Sequence, residues 1–232
     1  MVMTAGNGSI RVATFDCYGT LIDWEGGAAA FLYDLLLRRK SARLEPGRQL
    51  RNRWEAIQFD LLSGPYRPYR DILRESLRTW LDERGEPWDE ADAAAFVRAM
   101  RSWQPFPDTR PALTRVREAG IRLVIISNTD RDIIAHSLRH LEIPFDAVIT
   151  AEDCGAYKPS AVVFEHALAE IGEPPDHILH VAFGFKYDIG PASTLGMHTA
   201  WINRHGEPAP DEPRPASTFR DLWGVADLLS GS

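Results

Sequence analysis

The sequence predicts an α/β fold in which a doubly wound parallel sheet carries an inserted, all-helical subdomain. Short and continuously apolar runs, such as the LVIIS that ends at Ser127, are typical of central strands buried on both faces. From Ile121 onward such runs alternate with segments of helical periodicity, which favours parallel strands joined by crossover helices. Residues 22–100 interrupt this alternation with helical periodicity alone, which indicates an insertion.

These patterns divide the chain into a core domain of residues 1–21 and 101–232 and a helical subdomain of residues 22–100. The first strand ends at Phe15 and leads through Asp16 into a turn that contains Gly19. Apolar side chains recur at helical spacing in the subdomain and predict helices at 28–40, 48–63, 69–84 and 90–100. In the rest of the core we expect strands at 122–127, 145–150, 178–182 and 199–202, and a last helix at 219–229.

Composition and charge exclude several classes of protein. The formal net charge of -7 at pH 7 disfavours a nucleic-acid partner. No apolar stretch approaches the length of a membrane span, and the N-terminal MVMTAGNGS lacks the charged and apolar regions of a signal peptide. Cys17 and Cys154 are too few for a disulfide framework or a cysteine-rich metal site. We therefore expect a cytoplasmic protein without membrane or nucleic-acid partners, and the sequence leaves open whether it forms a homodimer.

Polar side chains lie where the predicted strands end. Asp16 follows the first strand, Ser127 and Asn128 close the second, and Asp188 follows the fourth, while Lys158 lies in a loop before a helix. Because the carboxyl ends of parallel strands meet at one edge of the sheet, we expect these side chains to converge on one crevice. The alternatives are an N-cap role for Asp188 and a solvent-exposed loop position for Lys158.

These same segments resemble the four ordered motifs of the haloacid dehalogenase superfamily. The matching residues are DCYGTL at 16–21, Ser127-Asn128, Tyr157-Lys158-Pro159 and Asp188. The resemblance spans essentially the whole chain, including a helical cap between the first and second motifs. It implies a Rossmann-like core and a nucleophilic role for Asp16.

Two positions distinguish the branches of this superfamily. Its phosphatases carry a second Asp two residues after the nucleophile as a general acid, and an Asp in the fourth motif that holds Mg²⁺. This chain has Tyr18 and Phe183 at those positions. Phosphoryl transfer needs dense cationic compensation, usually with Mg²⁺. Phosphatase activity is therefore disfavoured, although it stays an alternative function. A second alternative is a catalytically silent domain that binds a small ligand.

The D-x-Y-G-T-L form of the first motif is similar to that of the L-2-haloacid dehalogenases. A halide leaves without a proton, so this chemistry needs no general acid, and we expect no metal and no other cofactor. The resemblance implies that Asp16 displaces halide from C2 of a small 2-haloalkanoic acid and forms an ester that water hydrolyses. Lys158 would orient Asp16 and balance its charge, and Asp188 would bond Lys158 or help activate the water.

The resemblance also implies a wider set of site residues. Thr20 and Ser127 would position Asp16, and Asn128 would hold the substrate carboxylate or the halide together with backbone N–H groups. The full substrate-binding set comprises Cys17, Tyr18, Ser127, Asn128, Phe183, Phe185 and Arg53. For Cys17 the alternative is a small buried apolar side chain.

This chain departs from the dehalogenase pattern at several positions. The dehalogenases carry a Tyr six residues after the motif-three Lys, where this chain has Phe164. Their fourth motif offers Ser and Asn where this chain has Phe183 and Phe185. They also place an Arg on the second cap helix to bind the leaving halide. Arg51 and Arg53 are the nearest candidates for the halide, with Glu55 as the alternative occupant of that position. Arg67 and Arg70 are candidates for binding the carboxylate, and their alternative is a solvated helix start.

Overall fold

The structure is a computed structural model that describes residues 10–208 and 214–231. The N-terminal segment judged to lack a signal peptide, residues 1–9, lies outside the described residues. Within the described ranges every helix is too short or too polar to cross a bilayer.

The described chain forms two compact units. One runs over Met1–Ile22, Pro105–Asn128 and Leu141–Ser232, and the other over Asp23–Gln104 and Thr129–His140, as far as these residues are described. The sequence analysis places residues 129–140 in the core domain, whereas here they belong with the helical unit. One of the contacts that join them to it is the Asp130 carboxylate, which accepts hydrogen bonds from the backbone N–H groups of Tyr69 (2.7 Å) and Arg70 (3.0 Å). The domain boundaries drawn from the sequence otherwise stay predictions.

The first unit contains a six-stranded sheet in which all neighbours are parallel. Its strands are β1 (Val12–Phe15), β2 (Arg122–Ser127), β3 (Ala147–Thr150), β4 (Ile178–Ala182), β5 (His198–Ile202) and β6 (Ser217–Phe219). The spatial order is β3-β2-β1-β4-β5-β6. The strand order therefore reverses between β1 and β4, which is the topological switch point at which open α/β sheets bind ligands. This arrangement confirms the predicted doubly wound fold.

Helices cover the sheet and build the second unit. They are α1 (Trp24–Arg38), α2 (Gly47–Leu62), α3 (Tyr69–Arg84), α4 (Glu90–Ala99), α5 (Thr109–Glu118), α6 (Arg131–Leu141), α7 (Ala151–Cys154), α8 (Ala161–Ile171), α9 (Gly190–Thr194) and α10 (Trp223–Ser230). A π-helix, Phe185–Ile189, follows β4 and leads into α9. Short 3-10 helices lie at Met100–Ser102 and Pro175–His177.

Strand and helix bounds agree with the sequence where the apolar pattern is strong. The predicted strands at 122–127 and 178–182 and the predicted helix at 69–84 coincide with β2, β4 and α3. The C-terminal prediction is wrong at its start, because residues 217–219 form the edge strand β6 and the last helix begins only at Trp223. An edge strand of three residues, none of them fully buried, carries no apolar run that would identify it.

Side chains of β1 and its neighbouring strands form the core on the faces of the sheet. On one face, Val12, Val124 and Ile126 pack against Phe164 and Val163 of α8. Thr14 and Asp16 lie on this same face, because side chains two residues apart point to the same side of a strand. Thr14 and Asp16 therefore lie at the buried centre of the sheet.

The helical unit has an aromatic core. Trp54 of α2 meets Phe96 of α4 edge to face, with ring centroids 5.0 Å apart, and its indole N–H donates to Ser76 Oγ at 2.9 Å. Trp80 of α3 is also fully buried, and its N–H donates to the Leu50 carbonyl at 3.2 Å. The indole donors of Trp54 and Trp80 are thus both satisfied, and these two side chains serve packing.

Candidate active site

Asp16 lies directly after β1, at the centre of the sheet. Its backbone N–H donates to the Val181 carbonyl at 3.1 Å, which extends the ladder between β1 and β4 by one residue. Both carboxylate oxygens are held: Oδ1 accepts from Lys158 Nζ and Oδ2 from Thr20 Oγ1, each at 2.9 Å. The carboxylate therefore has one orientation, with its plane set by two donors on different loops.

The turn after Asp16 positions Thr20. Gly19 has a φ of +102°, and a Cβ at this position would lie 2.4 Å from the Phe183 ring, so only glycine fits here. The Thr20 hydroxyl donates to Asp16 and accepts from the Phe183 backbone N–H at 3.0 Å. The turn is thereby fastened to the loop after β4, and Trp201 holds that loop in turn by donating to the Phe183 carbonyl at 2.9 Å.

Lys158 reaches the site from the loop before α8, and only 2% of its side chain is exposed. Its Nζ donates to Asp16 Oδ1 (2.9 Å), to the Ile126 carbonyl (2.9 Å) and to Asp188 Oδ1 (2.5 Å). An ammonium has three hydrogens, so each one has an acceptor. The alternative of a solvent-exposed loop lysine is thereby excluded.

Asn128 secures the loop that carries Lys158. Its Oδ1 accepts from the Lys158 backbone N–H at 2.7 Å, and its Nδ2 donates to the Lys158 carbonyl at 3.0 Å. Both polar atoms of its amide are therefore hydrogen-bonded to the backbone of Lys158. The predicted role of Asn128 in holding substrate or halide stays a prediction.

Asp188 lies in the π-helix after β4. Single π-turns of this kind are frequent at functional sites. Its Oδ1 accepts from Lys158 and lies 3.1 Å from His180 Nε2, and a Cβ at Gly184 would come within 2.6 Å of its Oδ2. Gly184 therefore leaves room for the carboxylate. Because Asp188 turns its side chain toward Lys158, the alternative of an N-cap is excluded; α9 begins two residues later, at Gly190.

His180 and Thr14 are site residues that the sequence analysis missed. They are register partners on β4 and β1, and both side chains are fully buried. His180 Nδ1 lies 2.8 Å from Thr14 Oγ1, and the Phe164 ring meets the imidazole edge to face at a centroid distance of 5.4 Å. An imidazole in the middle of the apolar strand ILHVA was the available signal, since a buried polar group needs partners.

The charges of the site shift one another's pKa values. Burial raises the pKa of Asp16, and the nearby Asp188 adds to this, so the pKa stays above its usual range although Lys158 opposes the shift. Burial also acts to raise the pKa of Asp188, but the ammonium of Lys158 and the hydrogen bond from His180 outweigh it, and this pKa is lowered. For Lys158, burial acts to lower the pKa, yet the two carboxylates raise it above its usual value. One ammonium thus faces two carboxylates of unequal acidity.

The residues beside Asp16 differ in access. Cys17 is fully buried, and burial followed by the charge of Asp16 raises the pKa of its thiol well above the ordinary value. The thiol therefore stays protonated and inert, as the apolar alternative expects. Tyr18, Phe183 and Phe185 are half-buried, and the Phe185 ring stands edge to face with Trp201 at 5.5 Å.

Ser127 does not orient Asp16. Its hydroxyl is buried and has no hydrogen-bond partner among the described residues. Of the two hydroxyls predicted to position Asp16, only that of Thr20 does so. A substrate-binding role for Ser127 stays a prediction.

The arginine candidates all lie in the helical unit and pair with carboxylates there. Arg53 is 56% exposed and its Nε donates to Glu83 Oε2 at 2.7 Å, which gives no support to its predicted halide-binding role. Arg51 is buried between Glu25 and Glu55, at 2.7 and 2.6 Å. The remaining two candidates pair with neighbouring acids: Arg67 with Glu75, and Arg70 with Asp130 and Asp132.

Over residues 10–208 and 214–231, no group of three or more His, Cys, Asp or Glu side chains is placed to hold a metal ion. The described cluster can instead present one oriented carboxylate to an electrophile, with a second carboxylate attached to the same ammonium. An arrangement of this kind suits nucleophilic catalysis.

Comparisons with known proteins identify relatives of this chain. Residues 10–189 match the family model of haloacid dehalogenase-like hydrolases. The chain is 26% identical to (S)-2-haloacid dehalogenase 4A of Burkholderia cepacia over 231 residues, covering 93% of this chain and 94% of that protein. It is 27% identical to haloacetate dehalogenase H-2 of Moraxella sp. (strain B), covering 85% and 87%.

A solved structure shows the same fold over nearly the whole chain. The crystal structure of an L-2-haloacid dehalogenase superimposes with a TM-score of 0.85 at 27% identity, covering 95% of this chain and 99% of that one. The matched family model spans β1 to the π-helix and therefore includes every residue of the cluster around Asp16. This chain belongs to the haloacid dehalogenase-like hydrolase family.

Proposed function

We propose that this protein hydrolyses the carbon–halogen bond of a small 2-haloalkanoic acid through an ester on Asp16, without a metal ion. The relatives named above are dehalogenases of 2-haloacids and of haloacetate, which supports this substrate class. The observation that carries the mechanism is the Asp16 carboxylate, buried and held by one donor on each oxygen.

In the first step an oxygen of Asp16 attacks C2 of the substrate. The new C–O bond forms as the C–halogen bond breaks, and the halide leaves with the bonding electron pair. With both carboxylates ionised, the cluster of Asp16, Asp188 and Lys158 carries one excess negative charge. That charge departs with the halide, so esterification leaves a neutral buried pair. Because burial disfavours net charge, the cluster favours this step.

In the second step water attacks the carbonyl carbon of the Asp16 ester. Asp188 takes one proton from this water and passes it to the alkoxide oxygen as the acyl–oxygen bond breaks, which releases the 2-hydroxy acid and leaves Asp188 ionised again. The other proton of the water passes to solvent, which balances the reaction. Thr20 and Lys158 remain hydrogen-bonded to the carboxyl group and stabilise the negative oxygen that develops there.

The donor set supports metal independence. Each oxygen of Asp16 already has a donor, and Lys158 supplies the positive charge that Mg²⁺ supplies in phosphoryl transfer. Tyr18 and Phe183 occupy the positions at which the related phosphatases carry carboxylates. Divalent cations of this kind prefer several free oxygen ligands.

Halide release tests the proposal. We expect the purified protein to release halide from haloacetates or 2-halopropionates in the presence of EDTA, and to leave p-nitrophenyl phosphate intact with Mg²⁺. Asp16→Asn should abolish release, with Asp60→Asn at the surface as the matched control. A Mg²⁺-dependent phosphatase activity would instead favour the related phosphatases. Inactivity toward both substrate classes would favour a binding domain.

Isotope labelling tests the ester. In a single turnover with excess enzyme in ¹⁸O-water, the label should enter the Asp16-containing peptide and the hydroxy acid should stay unlabelled. Label that enters the product directly would show that water attacks C2 and that Asp16 acts as a base.

A further inference from the structure

A buried imidazole lies behind the second carboxylate of the site. His180 is fully buried in the middle of β4, and its ring has two polar neighbours. Thr14 Oγ1 lies 2.8 Å from Nδ1, and Asp188 Oδ1 lies 3.1 Å from Nε2. The edge-to-face contact with Phe164 closes a third side of the ring with apolar atoms.

The chemistry of these neighbours selects the tautomer. An ionised carboxylate only accepts hydrogen bonds, so the nitrogen that faces Asp188 must carry a proton. A hydroxyl both donates and accepts, so Thr14 can serve a bare Nδ1 by donating to it. The Thr14 hydroxyl has no other hydrogen-bond partner among the described residues, so a bare Nδ1 is the acceptor that satisfies its hydrogen. The arrangement therefore fits an Nε2–H imidazole that donates to Asp188.

The two oxygens of Asp188 are consequently unequal. Oδ1 accepts from both Lys158 and His180, whereas Oδ2 has no hydrogen-bond partner among the described residues and lies against the Cα of Gly184. Two donors on Oδ1 hold electron density at that oxygen and fix the rotation of the carboxylate. Oδ2 is the oxygen with lone pairs left for a new proton.

We propose that His180 is a positioning residue, which donates through Nε2–H to Asp188 Oδ1 and so directs Oδ2 toward the hydrolytic water, with its tautomer set by Thr14. This inference rests on the proposed function, because it concerns the breakdown of the Asp16 ester. It predicts that His180 matters for the second step of the reaction and has little effect on the first.

The tautomer can be read in the resting protein without any substrate. In protein labelled with ¹⁵N-histidine, the spectrum near pH 7.5 should contain a neutral ring with the hydrogen on Nε2, assigned to His180 by its loss in His180→Gln. A hydrogen on Nδ1 alone, or on both nitrogens, would overturn the proposal. Because this measurement needs no turnover, it judges the inference even if the protein releases no halide and the proposed function fails.

Kinetics of matched variants separate positioning from folding. The amide nitrogen of Gln can replace the imidazole Nε2, whereas Asn reaches only the position of Nδ1. His180→Gln should therefore retain ester breakdown within a few-fold, and His180→Asn should slow it by about 10- to 100-fold, the usual effect of losing a hydrogen bond to a charged group. In His180→Asn the burst of halide should keep its rate, and the ester should accumulate on the Asp16 peptide, as seen by mass spectrometry.

Thr14 provides a second test that does not touch the ring. Thr14→Val removes the hydroxyl at nearly constant volume, and Thr14→Ser keeps it. We expect Thr14→Val to slow ester breakdown by several-fold and Thr14→Ser to leave it unchanged. Equal slowing of the burst and of ester breakdown in His180→Asn would indicate a structural role only and overturn the proposal, as would unchanged ester breakdown in that variant.

Discussion

The interiors of the two units differ in chemistry: one contains charged side chains and the other contains aromatic rings. At the centre of the sheet, the buried ammonium of Lys158 donates hydrogen bonds to the buried carboxylates of Asp16 and Asp188. In the helical unit the interior is aromatic, and polar groups such as Trp54 Nε1 each need only one partner. Buried charges stabilise a fold little and cost much when one partner is lost, whereas buried rings stabilise it directly. The first interior is built for chemistry and the second for packing.

The largest effect is expected from Lys158→Met, which breaks the charged interior. Two carboxylates would stay buried without their cation, so we expect halide release to fall below detection and the free energy of unfolding to drop by about 3–5 kcal/mol at neutral pH. The stability loss should shrink at lower pH, where the carboxylates take up protons. Urea unfolding at two pH values measures this, with Lys186→Met at the surface as control. If Lys158→Met were as stable as the parent at neutral pH, the buried carboxylates would not depend on this cation, which would contradict the description of a charged interior.

Trp54→Ala breaks the aromatic interior. Removing this fully buried ring should lower the free energy of unfolding by about 3–5 kcal/mol, because a cavity replaces its packing and Ser76 loses a partner. In contrast with Lys158→Met, the loss should not depend on pH. Trp223→Ala is the matched control, since that ring is 41% exposed and should cost little. If the stability loss of Trp54→Ala depended on pH, this would contradict the distinction between the two interiors.

Thr20→Val sharpens the comparison within the charged interior. The variant removes the donor to Asp16 Oδ2 and the acceptor for the Phe183 N–H, while the volume stays nearly the same. A hydrogen bond to a charged group contributes about 1.5–3 kcal/mol, so kcat should fall about 10- to 100-fold. Thr20→Ser should keep most of the activity in the same halide assay. Equal activity of the valine and serine variants would show that the hydroxyl does not orient the nucleophile.

Asp16→Asn tests the cost of keeping the nucleophile charged. A carboxyl whose pKa is raised by folding lowers stability most at pH values above the raised pKa, and this cost declines as the pH falls from there to the pKa of the unfolded chain. The variant should therefore be inactive but more stable than the parent at neutral pH, with the difference narrowing in acid. Because Asp16 must be ionised to attack and its pKa is raised, kcat/KM of the parent should fall in acid at a higher pH than for an ordinary Asp. Unfolding curves at several pH values and a pH–rate profile measure the two effects, and a destabilised variant would contradict the assignment.

The sequence by itself determined the fold and the main chemical groups of the site. Strand-forming runs that end in Asp16, Ser127 and the segment before Asp188 predict one sheet edge, because parallel strands place their carboxyl ends together. The DCYGTL segment and Lys158 are close in space for the same topological reason. These inferences need only the local pattern and the rules of parallel sheets.

Only the tertiary structure decided which groups touch. His180 and Thr14 meet because the register of β1 against β4 makes them partners, and no local pattern encodes that register. The same holds for Asn128, whose amide is hydrogen-bonded to the Lys158 backbone, and for Ser127, whose hydroxyl has no hydrogen-bond partner in the described part of the chain. Hydrogen bonds depend on distances of a few tenths of an ångström between segments far apart in sequence. Apolar periodicity specifies which face of an element is buried, and leaves those distances to packing.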